Sequence, residues 1–442
     1  MTDVSNTVAD RVPATRRLEL DALRGFAVLL IFWVNIVFFG WPYEANLYPT
    51  LFGGPDNLNI LGWGINHLLL EGAMFSLFCM LFGASALLLL DEHRLSGPGG
   101  LRAVDYYFRR NLWLIGFGLV HAFVLLWPLE ILFTYGVLGL ALYPLRRFKA
   151  LTLFAVGLLM TAWGAGLPFP LDTISPAAQA VQHQAASPVR ISEMDLLLAL
   201  QEEIADMWVE MSLYRSDYLS IFQANIDVAV SQQTTTLYED NLWDAGGMML
   251  IGMALFKWGV LTGRRSLIFY LVLTLLGFAA AILLRLPAVV VGIASGFDPD
   301  WVRFIGSPAN LVGRLFLALG YIGLIMLLCR WVWLSGTVRA LAAAGRLAFT
   351  NYVAQTIFAI FLFYGFGFGM FAEFAYYQLL LIVLGFSLFP LLARVVWLHL
   401  FRQGPLEWLW RSLIYLQRQP LRRPPPAAGD GVARPAAEVP FA

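Results

Sequence analysis

The chain has little charge and almost no cysteine. Asp, Glu, Lys and Arg make up only 13% of its 442 residues, against roughly 25% in soluble domains. Hydrophobic residues reach 59%, against roughly 45–50%. This balance excludes an ordinary solvated domain. The net charge is zero, so no excess of either sign points to a partner, and nothing calls for nucleic acid. The two cysteines, Cys79 and Cys329, both lie inside apolar runs, which excludes a disulfide framework and reads as small buried hydrophobes. No metal-ligand spacing, heptad pattern, glycine-rich phosphate loop or separate soluble domain is found. The first apolar run lacks a small-x-small cleavage site, continuing instead WPYEANLYP, and so reads as an uncleaved signal anchor.

Long apolar runs are what the chain does have. From Arg16 to Gly40 it reads RRLELDALRGFAVLLIFWVNIVFFG. A charged leader with Asp21 and Arg24 passes directly into a helix of about the ~20 residues that cross a bilayer. Arg24 at such a start belongs at the membrane edge, where it meets phosphate or head groups. Ten spans are expected, at roughly 22–41, 61–90, 109–128, 130–145, 149–168, 243–260, 266–284, 307–330, 347–366 and 376–399. The fold class is all-α: a polytopic membrane helix bundle with an outer amphipathic helix.

Charge orients the bundle. Arg11, Arg16 and Arg17, then Arg94 and Arg102, Arg146, Arg147 and Lys149, Arg264 and Arg265, and Arg339 and Arg346 fall in alternate connections. By the positive-inside rule these are cytoplasmic, as are both termini. The opposite connections are poor in basic residues; Phe169 to Asp240 holds only Arg190 and Arg215 against eleven carboxylates. The expected organisation is a cytoplasmic leader (1–20), a five-helix half (21–168), an outer connection (169–242), a second five-helix half (243–415) and a disordered cytoplasmic tail (416–442). Within the outer connection, Leu197, Leu200, Ile204, Trp208 and Met211 share helical spacing, which fits a helix on the membrane surface or capping the bundle.

Ionisable groups inside spans are costly and by default suggest function. At ~1.5 Å per residue, Asn35, Glu71, His121 and Tyr135 map to similar depth in the outer half, with Glu130 at a tight outer turn. His67 lies one helical turn from Glu71. His121 is the best candidate for proton transfer, since a neutral imidazole is cheaper to bury than a carboxylate. Each also has a plainer explanation: a histidine bonded to a carbonyl, Asn35 as interhelical glue, Glu130 in solvent. At the inner side Asp21, Arg24, Arg109, Arg110 and Arg346 gather, with Thr350, Asn351 and Gln355 following Arg346. They suit positive-inside anchoring, or a basic mouth for a phosphorylated donor.

Several of these segments resemble the YeiB-like family of bacterial inner-membrane proteins, a domain of unknown function. LDALRGFAVLLIFWVN resembles its opening, EGAMFSLFCMLFG its acidic-Gly-Lys-Phe pattern, and GLVHAFVLLWPLEILFTYG its Gly-x-x-His…Asp-Ile-Leu…Tyr segment. MMLIGMALFKWGVL, GRLAFTNYVAQTIF and GPLEWLWRSLIY resemble later signatures, so the likeness runs from Arg17 to about Tyr415. Ala73 stands where that pattern has Lys, Cys79 where it has Ser, and Glu130 where it has Asp. The first helix is also similar to that of transmembrane acyltransferases, the heparan-α-glucosaminide N-acetyltransferase and sugar O-acyltransferase groups. That resemblance implies a cytoplasmic acyl-CoA donor, acetyl-CoA in the first instance, and an acceptor reached from the other side. In the O-acyltransferases a His follows the Arg at eleven positions; here Asn35 follows Arg24, so His121 or His67 would take that role.

The expectation is therefore an integral-membrane acyltransferase in the bacterial inner membrane. Acyl-CoA pairs with Arg24 and Arg346, aided by Asp21 and Asn351. His121, polarised by Glu130 or Glu71, deprotonates an acceptor hydroxyl or amine held by Asn35 and Tyr135. The acceptor is an envelope glycan, lipid or small metabolite, and membrane lipids surround the whole. The rival readings are a small-molecule transporter or exporter using the same polar cluster, and a non-catalytic scaffold or sensor. No inverted repeat and no broken helices at matching places favour the transporter.

Overall fold

The computed structural model describes residues 18–43, 45, 57–90, 100–164, 205–297 and 307–422. Among them the fold is helical. The helices are α1 (Leu18–Gly40), α2 (Asn57–Leu69), α3 (Ala73–Leu89), α4 (Gly100–Leu119), α5 (Leu132–Leu145) and α6 (Ala150–Gly164). There follow α7 (205–214), α8 (Tyr218–Gln233), α9 (Leu242–Lys257), α10 (Leu267–Ala294), α11 (Ser307–Leu328), α12 (Ser335–Gly345), α13 (Ala348–Phe363), α14 (Tyr376–Leu400) and α15 (Pro405–Tyr415).

A helix stands at each of the ten expected positions. By length and composition four qualify as membrane spans: α1, the α2–α3 unit from Leu58 to Leu89, α10, and α11 from Ala309. Counting the bent pair α12–α13 as one gives up to five. The shorter apolar helices α5 and α6 have 14 and 15 residues, about 21 and 22 Å at ~1.5 Å per residue, less than a ~30 Å hydrocarbon core. Helix α10 has 28 residues, about 42 Å, and must tilt or project. Only 22% of its apolar window is buried, so most of its leucine and valine side chains form an exposed apolar surface.

The centre of the bundle is α1 and α3. Helix α1 packs on α3, α12, α13 and α14, and α3 packs on α1, α9 and α11. Where α1 crosses α12 the backbones touch: a Cβ on Gly25 would lie 1.8 Å from the Leu341 carbonyl oxygen, and one on Gly345 1.9 Å from that of Asp21. Small residues at such a crossing allow the close van der Waals packing that associates helices in lipid. We call the end where α1 begins the near end and the other the far end. The far end is closed by aromatic packing, including Phe39 stacked on Trp127 at 3.8 Å between ring centroids.

Several elements differ from the sequence expectation. The second span is broken at Leu70–Gly72, where Gly72 takes φ +70°, a conformation open to glycine and costly for other residues. Helices α12 and α13 meet at 73°. The seventh span runs to Ala294, ten residues beyond its expected end at 284. In the outer connection, residues 165–204 lie outside the described residues, including Leu197, Leu200 and Ile204. In α7 the buried side is Met207 and Met211, whereas Trp208 is 65% exposed. Helix α8, capped by the Asp217 carboxylate on Leu219 N–H, follows on the same side.

Candidate functional site

Two cavities share a wall inside the bundle. The near cavity, about 140 Å³, is lined by apolar side chains of α3, α4, α5, α13 and α15, with Arg24, Arg110 and Arg346 among them. Arg24 reaches Asp21 at 3.4 Å and donates to Ser85 Oγ on α3. Arg346 stands at the α12–α13 bend. Glu407 of α15 is also in the wall, but its carboxylate accepts from Thr350 N–H at 3.0 Å and from the Thr350 hydroxyl, which ties α15 to the start of α13. Burial pushes the Glu407 carboxyl above its usual range, against the pull of those hydrogen bonds.

The neighbouring arginines of α4 separate. Arg109 turns outward and pairs with Asp105 at 2.7 Å. Arg110 turns inward and is 6% exposed. Its guanidinium lies over the rings of Phe82, at 4.8 Å, and Trp410, at 5.4 Å. Nε and Nη1 have no hydrogen-bond partner among the described residues. Two cation–π contacts are worth roughly 0.5–2 kcal/mol each, whereas burying an ion costs several.

The far cavity, about 210 Å³, is more polar, with Asn35, Glu130, Thr134, Gln232 and Asn241 in its wall beside Gly72. Glu130 caps α5: its carboxylate accepts from Leu132 and Phe133 N–H, the latter at 3.0 Å. The partition between the cavities is the start of α5. Glu130 faces the far cavity, Leu132 the near one, and Ile131 lines both. Thr134 and Tyr135 divide in the same way, as do Phe75 and Phe78 one turn apart on α3. Arg24 and Asn35, eleven residues apart on α1, are about 16 Å apart along its axis. The Tyr135 hydroxyl meets Cys79 Sγ at 3.2 Å.

A third polar cluster holds the α2–α3 break. Glu71 Oε2 contacts His67 Nδ1 at 2.7 Å, and Oε1 accepts from Asn310 at 3.0 Å. Arg285, 0% exposed, donates to the carbonyls of Leu68 at 3.2 Å and Glu71 at 2.7 Å. Tyr321 donates to that of Leu69 at 2.8 Å. Those of Leu68 and Leu69 are carbonyls that a helix end leaves without intrahelical partners, and that of Glu71 lies in the break itself. Beside them Arg314 pairs with Asp244.

Residues 255–417 match the family model described as "Protein of unknown function (DUF418)". Over 404 residues the chain is 32% identical to "Uncharacterized protein YeiB" of Escherichia coli (strain K12), covering 90% of this chain and 96% of that protein. The chain belongs to this family. It is also 28% identical to "Uncharacterized protein YxaH" of Bacillus subtilis (strain 168), over 91% of this chain and 95% of that one. No solved structure matches. The DUF418 match runs from the end of α9 through α15 and so covers Arg285, Arg314, Arg346 and Glu407, while Arg24, Arg110, Glu71 and Glu130 lie before it.

The residues singled out from the sequence fall into separate groups in this family member. Arg24 and Arg346 line the near cavity together, with Tyr135. Asn35 and Glu130 line the far cavity together. His67 and Glu71 pair with each other in the third cluster. The expected meeting of His121 with Glu130 or Glu71 does not occur. His121 sits in a π-helical turn, Val120–Val124, and its Nε2 is 2.8 Å from Thr356 Oγ1 on α13. It is 1% exposed and absent from both cavity walls. Both carboxylates are engaged elsewhere, Glu130 by the α5 amides and Glu71 by His67 and Asn310. Asn351 likewise faces away from the near cavity, donating to Ala344 O at 3.2 Å across the α12–α13 bend. Asp21 supports Arg24 from the same helix. Arg285, Arg314, Asn310 and Asp244 were not singled out. Their signal was available, since an arginine inside an apolar run needs a partner.

Proposed function

We propose that the chain is an integral-membrane acyltransferase, with the near end cytoplasmic, that moves an acyl group from acyl-CoA to an acceptor held at the far end. The observation that supports this reading is the pair of cavities toward opposite ends of α1, with Ile131 in the walls of both. Basic residues line the near cavity, as a phosphorylated donor requires, and its apolar walls suit the acyl-pantetheine arm. At about 140 Å³ it takes the thioester arm up to its phosphate, and the nucleoside remains outside. Amide and hydroxyl groups line the far cavity, suiting a polyhydroxylated or amine acceptor such as an envelope glycan, lipid head group or small metabolite.

The reaction joins the two sides at Ile131. The acceptor oxygen or nitrogen attacks the thioester carbonyl, its proton passes to Glu130, the C–S bond breaks, and CoA leaves as the thiol. Glu130 replaces His121 as base because it is the carboxylate in the far wall. The Tyr135 hydroxyl, on the near side of the same turn of α5, stabilises the oxyanion. Asn35 orients the acceptor. His121 is a positioning residue that holds the end of α4 on α13.

A transporter is the second reading, favoured by the helix break at Glu71–Gly72 with its buried charges. One experiment separates the two. Membranes with and without the protein are incubated with radiolabelled acetyl-CoA, and the envelope fraction is assayed for label. Protein-dependent labelling with release of CoA thiol supports the transferase. Flux of an unmodified solute across reconstituted vesicles, with no thiol release, supports the transporter.

A further inference from the structure

Arg110 has no evident structural reason to be a cation. A guanidinium placed for stability alone would find a carboxylate or several carbonyls, as Arg314 finds Asp244 and Arg285 finds Leu68 and Glu71. Arg110 has neither: its contacts are the rings of Phe82 and Trp410, and Nε and Nη1 are without partners among the described residues. A leucine or methionine there would pack against the same rings without the desolvation cost. The Glu407 carboxylate, in the same wall, is committed to Thr350 and forms no ion pair with Arg110. Arg24, paired with Asp21, and Arg346 share the cavity with it. The rest of the lining is mostly apolar and aromatic.

We propose that Arg110 is the phosphate receptor of the near cavity, engaging through its planar fork a phosphate group carried by an amphipathic ligand. The rings of Phe82 and Trp410 hold the guanidinium plane fixed, which leaves its edge for bidentate pairing with phosphate oxygens. Arg24, already held by Asp21 and Ser85, and Arg346 add to the field at the mouth. The apolar wall takes the remainder of the ligand. Under the donor-site reading that ligand is acyl-CoA, and the inference rests on that reading for this identification alone. A glycerophospholipid head group with its acyl chains presents the same chemistry.

The test uses the full chain in neutral detergent, with Arg110→Met as the variant and Arg110→Lys as the charge-retaining comparison. Binding of acetyl-CoA and of phosphatidic acid in mixed micelles is measured by titration calorimetry, and melting temperature is recorded without ligand. Arg110→Met should melt at or above the wild-type temperature, because an unpartnered buried charge has been removed. Its affinity for the phosphate ligand should fall about ten- to a hundredfold, the loss expected with one charge-assisted hydrogen bond. Arg110→Lys should lie between, having charge without the fork. Acetyl-CoA binding that depends on Arg110 supports both the receptor and the donor site. Phosphatidic acid binding that depends on Arg110, with no acetyl-CoA binding, supports the receptor and removes the donor reading. Wild-type affinity for both ligands in Arg110→Met, no binding of either by the wild type, or failure of Arg110→Met to fold would each overturn the proposal.

Discussion

Arg285 donates to the main-chain oxygen of Glu71 at 2.7 Å across 214 positions of sequence. The contact makes the interruption between α2 and α3 tolerable inside the bundle. Backbone groups in lipid must be satisfied internally, and the break exposes carbonyls that Arg285 and Tyr321 cover. Replacing Arg285 by Met should therefore destabilise strongly, by roughly 3–5 kcal/mol, the cost of removing one partner from a buried ionic set. Lysine should not restore stability, since separate nitrogens serve Leu68 and Glu71 and an ammonium is a point donor. Thermal unfolding in detergent checks this; a wild-type melting temperature for Arg285→Met would show that the carbonyls have another source of donors.

Glu130 and His121 should behave in opposite ways. Glu130→Gln keeps an oxygen to cap α5 and loses the charge, so the fold should persist while acyl transfer falls about 10²–10⁴-fold, the usual loss with a general base. His121→Ala removes a buried hydrogen bond to Thr356 and should cost roughly 1–3 kcal/mol of stability, with a smaller effect on rate. Thr356→Val should reproduce the His121→Ala loss, and the double variant should add little to either. Full turnover in Glu130→Gln, or abolished turnover in a well-folded His121→Ala, would return the role to His121.

The positions of the helices were legible because hydropathy is read from composition alone. The rise per residue leads to the expectation that Asn35, Glu71, His121 and Tyr135 lie at similar levels. Direction was not legible. A shared level does not make side chains converge, and the π turn at Val120–Val124 and the break at Leu70–Gly72 set directions that a regular helix does not carry. The seventh span is expected to end at 284, yet α10 runs on through Arg285 and Pro287 to Ala294, with Arg285 donating to the carbonyls of Leu68 and Glu71. In α7 the spacing included Trp208, but the bundle buries Met207 and Met211. Arg109 and Arg110 are adjacent in sequence and indistinguishable there; only the helix phase sends one to Asp105 and the other into the cavity.

The crossing of α1 and α12 makes a sharper steric prediction. With its Cβ 1.8 Å from the Leu341 carbonyl oxygen, Gly25→Ala demands that two backbones separate, and neither is a flexible side-chain end. Gly345→Ala makes the same demand against Asp21. Both variants should lose most of their monodisperse material on gel filtration. Gly336→Ala, in the same helix α12 but with nothing within 4 Å, should be neutral or gain up to ~1 kcal/mol from helix propensity. Equal behaviour of Gly336→Ala and Gly345→Ala would mean that propensity, not the crossing, governs α12.

Ile131 lines both cavities, and it makes the last prediction. It is half-buried and lines both cavities, so truncation costs less than the roughly 2–5 kcal/mol of a fully buried Ile→Ala change. Ile131→Ala should fold and should join the donor and acceptor spaces. Water then reaches the thioester from the far side, and CoA thiol should be released without any acceptor, followed with a thiol-reactive dye. Ile131→Phe should do the reverse. The larger ring fills the partition, so donor affinity should be retained while transfer slows, a fall in rate without a matching rise in the donor KM. Under the transporter reading the same pair predicts a solute leak through vesicles carrying Ile131→Ala and none through Ile131→Phe, with thiol release in neither. If Ile131→Ala and Ile131→Phe both leave thiol release, transfer and leak at wild-type levels, the cavities do not communicate at this residue, and the observation that carries the proposed function is lost.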